Sequence, residues 1–171
     1  IEYQLINGIF MMKLYSSLGI AFVVLVLDLA SKYWVESALQ FGEQIPVTSF
    51  FNLVLTYNPG AAFSFLSEQS GWQRWFLAGI AAIAAIVIVF LLNKYQHEKL
   101  FCWSLSLILG GAIGNLYDRI MLGHVVDFLD FYVGTYHWPA FNIADSAIFV
   151  GTVLMIYDSF KNKKEPQKQA E

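Results

Sequence analysis

Asp127 and Asp145 are the residues of this chain best suited to acid–base chemistry. They lie in Val125-Val126-Asp127-Phe128 and in Phe141-Asn142-Ile143-Ala144-Asp145-Ser146, each set in apolar sequence beside a segment long enough to cross a bilayer. An ionisable side chain at membrane depth costs about 2.5–3.5 kcal/mol on insertion scales, so its default reading is functional. Two carboxylates that converge can share one proton. The protonated one donates to a carbonyl oxygen while the ionised one takes a proton from water. Taken singly, each could be a lone interfacial charge solvated by headgroups and water. Asp130 is expected to be such a solvated charge.

Other polar residues fall at helical spacing. Asp28 and Lys32 are four apart and share a face, as a pair that orders the end of the first helix. Asn115, Asp118 and Arg119 share another face, and Asn142 and Asp145 a third. Arg119 could neutralise Asp118 or contact a lipid phosphate. Asn58, Asn115 and Asn142 could hold the carboxylates or bind substrate backbone, or could simply cap helices and turns. His124 with Asp118 and Asp130 fits no metal-ligand spacing, so neither a metal nor a cofactor is expected.

The elements that must position these residues are membrane helices. The chain is 57% hydrophobic and only 13% charged, against about 25% charged in a soluble domain. With 171 residues it has room for one membrane domain. Its net charge of -3 does not suggest nucleic-acid binding. The lone Cys102, in apolar sequence, excludes an intramolecular disulfide and reads as a small buried hydrophobe. Four stretches of about 20 apolar residues are expected to span, at about 14–34, 72–92, 100–121 and 141–160. A signal peptide is the alternative for the first, but no convincing cleavage site follows Asp28. The small residues Gly110-Gly111-Ala112-Ile113-Gly114 in the third span would let helices approach closely. Met11-Met12-Lys13 reads as a natural start, and residues 1 to about 11 are taken as an upstream or artificial extension; 12–160 form the membrane domain and 161–171 a disordered cytoplasmic tail.

Lys13, Lys94, Lys99 and the lysines after position 160 lie at one set of span ends, whereas the loops 35–71 and 123–139 carry no Lys or Arg. The positive-inside rule puts both termini in the cytoplasm and both loops outside. The polar residues Asp28, Lys32, Asn115, Asp118, Arg119, Asp127 and Asp145 then share one depth, the outer membrane–water boundary. Gln44 to Tyr57 reads as an extended strand or hairpin, Asn58-Pro59-Gly60 as a turn, and Ala61 to Leu66 as a short interfacial helix.

Five segments in order resemble the bacterial lipoprotein signal peptidases (signal peptidase II). They are Asp28-Leu29-Ala30-Ser31-Lys32, Asn58-Pro59-Gly60-Ala61-Ala62-Phe63, Gly110 to Arg119, Val125-Val126-Asp127-Phe128 and Phe141 to Ser146. The resemblance implies a four-helix membrane bundle with a small extracytoplasmic β-sheet and a short interfacial helix. It implies an aspartic endopeptidase of the bacterial cytoplasmic membrane that cuts prolipoproteins before a cysteine bearing diacylglycerol. The implied catalytic residues are Asp127 and Asp145, supported by Asp28, Lys32, Asn58, Gly60, Asn115, Asp118, Arg119 and Asn142. The implied partners are diacylglyceryl-prolipoproteins, membrane lipid and globomycin-type cyclic peptide inhibitors, with the enzyme acting as a monomer. Leu29 stands where many members have Gln, and Pro59 fills a variable position; neither touches the pair. Which aspartate is the acid and which the base stays open, because such a pair titrates as a unit. A small proton-relaying transporter or a non-enzymatic lipid-binding scaffold are the alternatives from the residues alone.

Overall fold

The computed structural model describes residues 2–60 and 71–168. In chain order the elements are α1 (Glu2–Ala38), β1 (Gln44–Pro46), β2 (Phe51–Asn58), α2 (Trp72–Lys94), α3 (Lys99–Met121), β3 (Val125–Val133), β4 (Tyr136–His137) and α4 (Ile143–Lys168). Four helices are long and apolar enough to cross a membrane, over Leu14–Ala38, Trp72–Lys94, Lys99–Met121 and Ile143–Lys161. The expected interfacial helix at Ala61–Leu66 lies outside the described residues.

The helices gather around α3, which packs against α1, α2 and α4. Lipid tails are as apolar as Leu, so helix association in a membrane rests on close packing and interhelical hydrogen bonds. The small residues of α3 supply the closeness. A Cβ on Gly110 would meet the Ala21 carbonyl oxygen at 2.6 Å, and one on Gly111 would collide with the Ala144 carbonyl oxygen. At one end of the bundle Ala21, Ile88, Leu92, Leu105 and Leu109 form an apolar core between α1, α2 and α3. Many large apolar side chains on the helices remain exposed, such as Phe22, Ile83 and Phe149, as lipid-facing positions require.

At the other end the four strands form one antiparallel sheet in the order β1-β2-β3-β4. Val35 and Leu39 of α1 pack with Leu55, Val126 and Phe128 and fix the sheet on the bundle. The sheet is larger than the sequence predicts. Beyond the expected hairpin at Gln44–Tyr57, the stretch after α3 supplies β3, whose nearly continuous burial conceals the alternation that marks a half-exposed strand. An irregularity in the β2–β3 register between Leu53 and Thr56 sets Thr56 opposite Asp127.

The turn from α3 into β3 is built locally. Gly123 adopts φ +89°, a conformation that costs glycine least, and its N–H donates to the Asp118 carbonyl (3.1 Å). Arg74 of α2 donates to the last-turn carbonyls of Arg119 and Ile120, both at 2.6 Å. Helix α4 continues to Lys168, whereas the sequence predicts a disordered tail from Lys161. Helix α1 likewise takes in residues 2–11.

Candidate active site

Lys32 organises the polar interior. Its ammonium lies 2.7 Å from Asp28 Oδ2 and 2.8 Å from Asp118 Oδ2, and it donates to Asn115 Oδ1 at 3.2 Å. All three side chains of this ion-paired set are almost wholly buried. Three N–H donors thus meet three oxygens, the full capacity of an ammonium. Of the two readings open for Arg119, the Asp118 pair does not form: neighbouring helical residues point about 100° apart, and Asp118 turns to Lys32 instead.

Each member of this set then holds an element that carries Asp127 or Asp145. Asp28 Oδ1 accepts the Ala144 N–H (2.8 Å) in the first turn of α4. Asp118 Oδ2 accepts the Val126 N–H (3.2 Å), anchoring β3 one residue before Asp127. Because Asn115 Oδ1 receives Lys32, its amide nitrogen is left to donate, and it does so to Asp145 Oδ1 at 2.7 Å.

Asn142 performs both roles that the sequence left open. Its Oδ1 caps α4 by accepting the Asp145 N–H (2.9 Å), and its Nδ2 donates to Asp127 Oδ1 at 2.7 Å. The cap dictates which way the amide faces, so the donor must meet Asp127. Asn58 also hydrogen-bonds Asp127 through its side chain, while its Oδ1 accepts the Gly60 N–H at 3.0 Å. Arg119 reaches the same turn, donating to the Gly60 carbonyl (3.0 Å) and to the Asn115 carbonyl (3.1 Å). Its charge faces Asp145 and Asp127.

Asp127 and Asp145 both line one cavity of about 850 Å³, together with Asn58, Asn115 and Arg119. Asp127 is 3% exposed, and burial, reinforced by the charge of Asp145, pushes its carboxyl up to about 7. A carboxyl poised there is half-protonated near neutral pH, the condition for acid–base work. Tyr57 forms one wall, Trp138 and Phe141 another, and the cavity runs on along Ile148, Phe149 and Thr152 of α4. The structure therefore brings Asp127, Asp145, Asn58, Asn115, Arg119 and Asn142 together. Asp28, Lys32 and Asp118 stand behind them, and Gly60 joins through its backbone.

Two features escaped the sequence reading. Asp130 is not a solvated charge: it is 6% exposed and accepts hydrogen bonds from Asn52, Gln44 and His137. That pairing needs the strand register, which no local spacing reveals. The wall residues Trp138, Pro139 and Ala140 have no helical or strand periodicity and precede the Phe141–Ser146 segment, so no local pattern marks them as lining a site.

The family model of Signal peptidase (SPase) II matches residues 20–161. The lipoprotein signal peptidase of Janthinobacterium sp. (strain Marseille) is 57% identical over 144 residues, covering 84% of this chain and 87% of that protein. Its counterpart in Cupriavidus taiwanensis is 53% identical over 148 residues, covering 86% of this chain and 84% of that one. A bacterial membrane enzyme solved by the in meso method at 2.3 Å resolution superposes with a TM-score of 0.80 at 33% identity, over 88% of this chain and 90% of its own. By family model, by relatives and by fold, the chain belongs to the signal peptidase II family of aspartic-type membrane peptidases, which process prolipoproteins.

Proposed function

We propose that Asp127 and Asp145 are the catalytic pair of this peptidase and that they hydrolyse the bond before the diacylglyceryl-bearing cysteine of a prolipoprotein. The observation that carries this reading is that both carboxylates line one cavity, each held by an asparagine amide, while among the described residues neither forms an ion pair. Carboxylates neutralised by a cation hold no proton to give. A pair left without one shares a proton.

The environments differ enough to divide the roles. Asp145 lies in the first turn of α4, where its Oδ1 accepts the Asn115 amide. Asp127 is buried on the sheet and retains its proton to about 7. Asp145 is therefore the base and Asp127 the acid. Water attacks the scissile carbonyl carbon, Asp145 takes its proton, and Asp127 protonates the carbonyl oxygen to give a neutral gem-diol. Collapse of the diol returns a proton to Asp127. The amide nitrogen of the cysteine takes the other from Asp145 as the C–N bond breaks. Asn142 and Asn115 keep the two carboxyl groups oriented throughout.

The lysine distribution supports both termini in the cytoplasm and the sheet and site at the outer face. Acyl chains hold a lipidated cysteine at headgroup level, which is the depth that this topology gives the pair. Globomycin-type cyclic peptides would occupy the same cavity, and a single chain carries every residue of the site. The test is cleavage of purified diacylglyceryl-prolipoprotein by the purified enzyme in lipid. Wild type is expected to release the signal peptide, and D127N and D145N to release none while remaining folded. Turnover by either variant at the wild-type rate would overturn the assignment.

A further inference from the structure

A second buried carboxylate lies three residues beyond Asp127 on the same strand, and the reaction does not use it. Asp130 is 6% exposed, yet it holds partners from every other strand. Its Oδ2 accepts the side-chain amides of Asn52 on β2 (2.8 Å) and Gln44 on β1 (3.3 Å). Both of its oxygens lie 2.9 Å from Nδ1 of His137 on β4. The imidazole also stacks on Tyr132, with ring centroids 4.9 Å apart, and the Tyr132 hydroxyl donates to the Thr48 carbonyl.

His137 is the last residue of β4 and immediately precedes the cavity wall Trp138-Pro139-Ala140-Phe141. That wall is pinned at both ends. At its start, His137 is held by Asp130, and the Trp138 N–H donates to the Phe131 carbonyl (2.8 Å). At its end, Phe141 exchanges backbone hydrogen bonds with Leu129 (2.8 and 3.1 Å). Asn142, which holds Asp127, follows directly. β4 is only two residues long and has one neighbour strand, so its own ladder is a weak anchor.

We infer that Asp130 and His137 form a positioning pair that fixes the 138–141 wall and so sets substrate affinity, without taking part in bond cleavage. Neither residue lines the cavity or touches Asp127 or Asp145. The pair needs only an Nδ1–H on the imidazole, because a neutral ring with its proton there donates to the carboxylate as a charged ring does. The inference rests on the reading of the cavity as the substrate site.

The experiment is steady-state cleavage of purified diacylglyceryl-prolipoprotein by full-length wild type, H137A, H137N, H137Q and D130N, with D127N as control. H137A and D130N are expected to raise KM about tenfold, equivalent to about 1.4 kcal/mol, with kcat within about twofold of wild type. H137N places an amide nitrogen where Nδ1 stood and is expected to restore KM; H137Q, which reaches the Nε2 position, is not. Unchanged KM in H137A, a fall confined to kcat, or equal rescue by Asn and Gln would each overturn the inference. Should D130N fail to fold, H137A still decides, since the imidazole is 45% exposed and its removal leaves Asp130 two amide partners. Cleavage by D127N would overturn the reading of the site itself. An inactive D127N beside an unaltered H137A removes only the positioning pair.

Discussion

Two groups of carboxylates lie side by side in this protein and keep different company. Asp28 and Asp118 share one lysine, with ion-pair distances of 2.7 and 2.8 Å. Asp127 and Asp145 receive amides at 2.7 Å each and form no ion pair among the described residues. The first group is a strut: through Ala144, Val126 and Asn115 it places α4, β3 and the Asp145 partner. In the proposed mechanism the second is the reactive pair, because no cation lies within ion-pair distance of it among the described residues. A cation at bonding distance would hold both carboxyl groups ionised and leave nothing to protonate the carbonyl. The bundle thus separates placement from chemistry by where it spends its lysine.

The contrast can be broken in four ways. The largest effect is on turnover: D127N and D145N are each expected to lose about 10³-fold or more in kcat, with thermal stability in detergent at or above that of wild type. A variant that unfolds instead would make Asp127 or Asp145 a strut after all. Next is K32M, which strands Asp28 and Asp118 without their counter-charge. It is expected to cost about 3–5 kcal/mol, read as a large fall in the detergent melting temperature before any assay of activity. Stability close to wild type would mean that Lys32 is no organising residue.

A smaller effect tests the link between the groups. N142A removes both the α4 cap and the donor to Asp127, for a loss of about 10–100-fold in kcat and about 1 kcal/mol in stability. N142D keeps the capping oxygen but sets a carboxylate oxygen against Asp127 Oδ1 and the Val126 carbonyl, so it should lose both stability and rate. The smallest effect is in pH. Asp127 is protonated below about 7, so turnover should fall as pH rises through that value, roughly tenfold per unit beyond it. The stability sign follows from the raised carboxyl: between its ordinary 3.8 and about 7 the folded state keeps a proton that the unfolded chain releases. Stability therefore declines as pH rises across that window, and D127N should remove the decline. A flat profile in wild type would sink the assignment of the acid.

Much of the architecture was legible from local pattern. Four apolar stretches announced four spans, and Gly110, Gly111 and Gly114 announced a helix that others approach closely. The Asp28–Lys32 pair followed from helical spacing alone. Spacing left the partner of Asp118 open, since Arg119 adjoins it in sequence while Lys32, with which it pairs, lies on another helix. Asp130 was misread because its partners are distant in sequence, Gln44 and Asn52 lying 86 and 78 residues away.

The sequence by itself determined the membrane spans, the residue types of the site and, through five ordered motifs, the family. These are properties of composition and short-range period, which water and lipid sort without reference to the rest of the chain. Tertiary structure decided which carboxylates meet a lysine and which meet only amides. That choice depends on helix rotation, strand register and the direction forced on Asn115 and Asn142 by their second partners. Proton affinity is set by those contacts over a few ångströms, and no spacing along the chain encodes them.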